Sequence, residues 1–144
     1  MPMQPISYLP QLLTVAVVSA AVSSQSPWGF PLQRTFVATS VNGQSLAPAS
    51  PTLTIMRDRN QNALTGAGFA GCNTWNGQVS LGQSDFGVDN LGTTKKLCGE
   101  QMATEMTFLT ALKAVKRWRM EGPSLVLEGD GSTMLLLPHS DGKL

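Results

Sequence analysis

The sequence predicts an α+β domain: an antiparallel, curled, barrel-like β-sheet packed against one amphipathic α-helix. Three observations carry this. Short stretches of alternating apolar and polar residues recur past about residue 30. Glycine-containing turn signals separate them, and one late segment switches to helical periodicity. Short antiparallel strands joined by tight turns favour a sheet that curls toward a barrel. The concave apolar face of such a sheet is the surface a single amphipathic helix needs to cover its stripe.

The first strand is expected over residues 34–39, before an Asn42-Gly43 turn of the kind that favours hairpins. The next alternation centres on Leu53 and Ile55, turns through Asp58, Arg59 and Asn60, and returns through Leu64. Two further short strands are expected around residues 79–81 and 86–88. "SLVLEGDGSTMLLLP" reads as a closing hairpin, with residues 125–127 and 134–137 joined by Gly129, Asp130 and Gly131. The helix is expected in "GEQMATEMTFLTALKAVKRW", about four turns long. There Met102, Met106, Leu109 and Leu112 fall at helical spacing, and Phe108 and Val115 widen the stripe. Glu100 and Glu105 lie early and Lys113, Lys116 and Arg117 late, which complements a helix dipole. The large residues Met106, Phe108 and Leu112 are expected to fill the interior.

A chain of 144 residues with a net charge of +1 bounds the function to a single small domain with no electrostatic bias toward nucleic acid or an anionic membrane. Near the N-terminus, "LLTVAVVSAAV" is an uncharged apolar run too short to span a bilayer, which takes about 20 residues. It has the length of a signal-peptide core. Val18-Ser19-Ala20 or Ala21-Val22-Ser23 would serve as the cleavage site, although no Lys or Arg precedes the run. Residues 1–23 are therefore expected to be removed on export, residues 24–31 to be a linker, and residues 139–144 to be a polar tail. The alternatives are an uncleaved segment, which would leave the protein membrane-anchored, or a buried N-terminal strand. With no cysteine near this segment, lipid attachment at a processed N-terminal cysteine is excluded.

The two cysteines, Cys72 and Cys98, admit three readings: a reactive thiol, part of a metal site, or a staple. Zinc needs about four ligands, and here there are two distant cysteines with one histidine, His139, in a polar tail. A nucleophilic thiol needs a base beside it, and His139 is again the one imidazole available. In an exported chain an even pair of cysteines is expected to be oxidised. No metal, cofactor or catalytic group is expected. Glu105 lies beside the apolar stripe, and a carboxylate buried there must accept hydrogen bonds or become neutral. Backbone amides or the Asn73 side chain would meet that need and lock helix to turn. The alternative, a general acid or base, lacks a nameable partner. Lys113, Lys116, Arg117 and Arg119 flank Trp118, an arrangement that sometimes marks nucleic-acid contact. The near-neutral chain and the helix terminus account for these residues more simply. Gly129, Asp130 and Gly131 lack the repeated oxygen ligands of a calcium loop.

Gly71-Cys72-Asn73, followed by Asn76-Gly77, resembles the signature of the META domain, the family of HslJ-like bacterial heat-shock proteins. Thr94 through Cys98 resembles the family's Thr-x-Met-Ala-Cys segment, and Glu105, Phe108, Leu109 and Leu112 its Glu-x-x-Phe-Leu-x-x-Leu helix. Trp118 and the closing hairpin fall where the family has an aromatic strand and a hairpin. The resemblance covers roughly residues 32–138. It departs at Phe36, where the family carries tryptophan, and at Lys96-Leu97, where it prefers Met-Ala. The resemblance implies the small α+β fold, export to the bacterial envelope and a loose link to stress tolerance, and it lends no catalytic activity. Gly71 and Asn73 tolerate unusual backbone conformations, so Cys72 between them is placed to reach Cys98 in a stapled turn. The expected function is that of a monomeric, non-enzymatic envelope module whose partner is another protein. The alternative is a carrier of a small apolar ligand held between helix and sheet.

Overall fold

The computed structural model describes residues 26–58 and 63–140. The expected signal segment, residues 59–62 of the second turn and the last four residues of the tail lie outside the described residues.

Among the described residues nine strands and one helix follow one another. They are β1 (Thr35–Val41), β2 (Gln44–Ser45), β3 (Thr52–Arg57), β4 (Leu64–Phe69), β5 (Thr74–Leu81), β6 (Phe86–Thr93), α1 (Gln101–Ala114), β7 (Val115–Glu121), β8 (Ser124–Gly129) and β9 (Ser132–Pro138). The sheet runs β6-β5-β4-β3-β1-β9-β8-β7, with β2 paired to β1, and every pairing is antiparallel. It curls into a half-barrel whose edge strands approach each other at a bridge between Asp85 and Arg117. Period-2 alternation explains the sidedness. In β5, Trp75, Gly77 and Val79 are buried, whereas Thr74, Asn76 and Gln78 face out. Positive φ at Asn42 (51°) and Gly43 (81°) gives the twist a two-residue hairpin needs, as the Asn-Gly pair predicts.

Helix α1 lies over the concave face on Glu105, Phe108, Ala111 and Leu112. Phe108 meets Trp75 with ring centroids 6.2 Å apart, and the Trp75 indole N–H donates to the Thr52 carbonyl at 2.9 Å. Two expectations for the helix are corrected here. Met106 does not fill the interior: it is 69% exposed, because the buried stripe is rotated toward Glu105. The helix also ends at Ala114, so Lys116 and Arg117 are strand residues of β7. Of the basic residues, Lys113 alone occupies the last turn, and the first turn carries no acidic residue. The chain turns from helix to strand at β-branched Val115, whose backbone is extended (φ −66°, ψ 138°). A side chain on Gly129 would collide there with the carbonyl of Ala114.

A third correction concerns residues 24–31. From Ser26 onward this stretch is part of the packed domain and not a linker. Phe30 is fully buried, in edge-on contact with Trp118 (5.1 Å) and near Phe86 (6.0 Å). Leu32 is buried beside them in the same core. The Ser26 hydroxyl accepts hydrogen bonds from the N–H groups of Trp28 and Phe30 and fixes the turn that delivers the ring. Trp118 donates its indole N–H to the Gly82 carbonyl at 3.0 Å, joining β7 to the β5–β6 turn.

Candidate functional site

The chemistry-bearing residues singled out in the sequence converge at one end of the sheet, where the β4–β5 turn, the β6–α1 segment and the second turn of α1 meet. Glu105 is buried. One carboxylate oxygen accepts the backbone N–H of Cys72 at 3.0 Å and that of Asn73 at 2.6 Å, and the other accepts the Asn73 side-chain amide at 2.9 Å. Burial alone pushes the Glu105 carboxyl up. The Asn73 backbone and side-chain donors, the Cys72 N–H and the charge of Lys95 outweigh it and hold the group below its ordinary value of 4.5. Glu105 is therefore an anion clamped by amides, the opposite of a poised general acid.

Asn73 is buried and has its polar atoms paired. Its carbonyl oxygen accepts from the Lys96 N–H at 2.6 Å and the Thr94 hydroxyl at 2.9 Å, and its amide donates to the Lys96 carbonyl at 3.1 Å and to Glu105. The side chain thus pairs with the Lys96 backbone much as a neighbouring strand would. Thr94 extends the link, since its hydroxyl also accepts the Thr74 N–H at 3.1 Å. Cys72 and Cys98 form a disulfide with Cα atoms 5.9 Å apart, so the stapled turn is what the structure contains.

Gly71 makes this convergence possible. It sits at φ 128°, and a Cβ there would lie 3.1 Å from the Glu105 nitrogen and 3.2 Å from its Cα. The helix therefore seats directly on the turn. Gly77 serves the sheet instead. The β5–β6 register slips between Asn76 and Gln78, and a Cβ on Gly77 would lie 2.8 Å from the Val88 side chain. Phe108 and Leu112 anchor the helix below the lock, and Leu109 is half-buried at its side. Trp118 lies apart, at the opposite end of β5, against Phe30. The departure at Lys96-Leu97 is harmless for a visible reason: the lock uses the Lys96 backbone, and Leu97 is 89% exposed.

Each polar atom of this cluster is engaged in holding three chain segments together. Among the described residues no group of three His, Cys, Asp or Glu side chains gathers to hold a metal, and no helix is long and apolar enough to cross a membrane. Ion pairs occupy much of the basic cluster: Lys116 meets Asp130 at 2.6 Å, and Arg119 meets Glu121 and Glu128, each at 2.7 Å. The residue that sequence reasoning missed is Phe30, whose one signal was its i, i+2 spacing to Leu32.

The META domain model matches residues 31–141. Among solved structures, an NMR structure of a protein from Burkholderia xenovorans is similar with a TM-score of 0.61 and 24% identity, over 76% of this chain and 83% of that one. A second NMR structure is similar with a TM-score of 0.54 and 21% identity, over 74% of this chain and 90% of the other. Both likenesses concern the fold. No curated protein matches the chain.

Proposed function

The chain belongs to the META domain family, and from that premise we propose that it is a small exported, non-enzymatic module of the bacterial envelope that binds another protein and contributes to stress tolerance. The observation that carries this reading is the Cys72–Cys98 disulfide set inside the Glu105–Asn73 lock. Disulfides persist in oxidising compartments, and this one ties together the segments the lock organises. A non-enzymatic role is supported by the engagement of the buried Glu105 and Asn73 side chains with each other and with the Cys72, Asn73 and Lys96 backbone. Binding to a protein surface is favoured over carriage of an apolar ligand under the helix, because Phe108, Ala111, Leu112 and Trp75 fill that space. The paired charges of β7 and β8 argue against nucleic acid as the partner.

Intact mass spectrometry of the protein recovered from the cell envelope after thiol alkylation tests this reading. The expected species lacks its first twenty-odd residues, resists alkylation and gains two alkyl groups after reduction. A full-length species with two reactive thiols would overturn the export argument.

A further inference from the structure

Beside the buried Phe30 lies an open cleft of about 290 Å³. Four chain segments frame it. Gly29 and Pro31 come from the turn that delivers Phe30, Arg34 stands just before β1, Met120 and Pro123 belong to the β7–β8 hairpin, and Pro138 ends β9. Phe36 also lines the cleft, is buried, and pairs with Pro138 across β1 and β9. The three proline rings lock their own backbone angles, so these walls are set before any ligand arrives. Met120 is half-buried, and its flexible thioether adapts to an apolar body placed against it. Gly29 sits at φ 90°, and a Cβ built there would meet no atom within 4 Å, so the cleft stays open on that side.

Arg34 is the one charged residue of the lining. Among the described residues it meets no carboxylate, whereas Lys116 and Arg119 are both paired. Glu121, next to Met120 in the chain, is held by Arg119. We infer that this cleft binds a small organic monoanion, a carboxylate on a short apolar body, with the carboxylate on Arg34 and the body between the prolines and Met120. A guanidinium presents a planar fork that a carboxylate meets through two parallel hydrogen bonds. With a single cation in the lining, a doubly charged phosphate ester would leave one charge unmet. Apolar walls with one placed polar group are the usual make-up of a small-molecule site. At about 30 Å³ for a water-sized group, the cleft has room for about ten non-hydrogen atoms. A ligand of that size in an open cleft binds weakly, with a dissociation constant of about 0.1–1 mM. None of Trp75, Phe108, Ala111 and Leu112, which fill the space under the helix, lines this cleft. The site rests on neither export nor a protein partner.

The test is an amide-detected NMR titration of the oxidised protein with phenylacetate, and with phenylacetamide as its uncharged isostere. Phenylacetate is expected to give saturable shifts at Gly29, Arg34 and Met120. Phenylacetamide is expected to bind the same residues at least ~5-fold more weakly, because it lacks the charge that Arg34 meets. Arg34→Gln, at an exposed position, is expected to keep the melting temperature of wild type. It should lower the affinity for phenylacetate to that for phenylacetamide and leave the affinity for phenylacetamide unchanged. Absence of saturable shifts at these residues would overturn the proposal. So would equal affinity for the two probes, or a preference for phenylacetate that survives Arg34→Gln.

Discussion

At one end of β5 the sheet is tied to the helix by a disulfide and a buried carboxylate. At the other end, about 27 Å away for an eight-residue strand, it is closed by Phe30 wedged against Phe86 and Trp118. Both closures bring distant segments together, but the physics differs. The apolar plug is held by surface removed from water and by aromatic contact, neither of which responds to a thiol reagent or to mild acid. The lock depends on an oxidised sulfur pair and on an ionised glutamate. One end of the molecule is therefore indifferent to redox state and pH, and the other is conditional on both.

The largest expected effect breaks the unconditional end. Phe30→Ala empties a fully buried site and should cost about 4 kcal/mol, read from chemical denaturation. That cost should be the same in oxidised and reduced protein. Next comes the staple. For a sequence separation of 26, the chain-entropy relation gives about 3.5 kcal/mol lost on replacing Cys72 and Cys98 with alanine. Glu105→Ala strands the N–H groups of Cys72 and Asn73 in a buried setting and should cost about 3 kcal/mol.

A smaller effect separates the two ends by pH. The folded-state value of Glu105 lies below the unfolded one, so its contribution is fully present above about pH 4.5 and is lost as the pH falls through the lowered value. Melting temperatures of wild type and Glu105→Gln should therefore converge as the solution is acidified from neutrality. A gap that stays constant or widens would mean that the carboxylate is not the group being clamped. The finest test is additivity. Phe30→Ala and Glu105→Ala lie at opposite ends and should sum to within about 0.5 kcal/mol.

The two ends also differed in how far the sequence revealed them. Gly71, Cys72, Asn73 and Glu105 were readable because each residue type has a narrow use. A glycine before an asparagine allows a tight approach, a paired cysteine allows a staple, and a carboxylate beside an apolar stripe demands donors. Phe30 was hidden because "SPWGFPL" carries the composition of a linker, and no local pattern shows which ring a distant tryptophan will meet. The helix face was misjudged at Met106 for a related reason. Two stripes overlap on α1, and the one through Glu105 is buried because amides on another segment solvate the carboxylate. Apolar periodicity alone does not report those donors. The strand expected around residues 86–88 is the start of β6 and stops short of its end, since the bulge at Asn90, with φ of 53°, interrupts the alternation, while β7 is concealed by the helical periodicity that runs into Val115.

If the residues that look chemical in this chain serve to hold it together, the Glu105 carboxyl must behave as a clamped anion. A carbon-detected NMR titration of that side chain in the oxidised protein measures this. A clamped anion gives a midpoint below 4.5 that shifts upward in Asn73→Ala. A midpoint at or above 4.5, unmoved by that substitution, would contradict the lock and return Glu105 to the list of candidate acids.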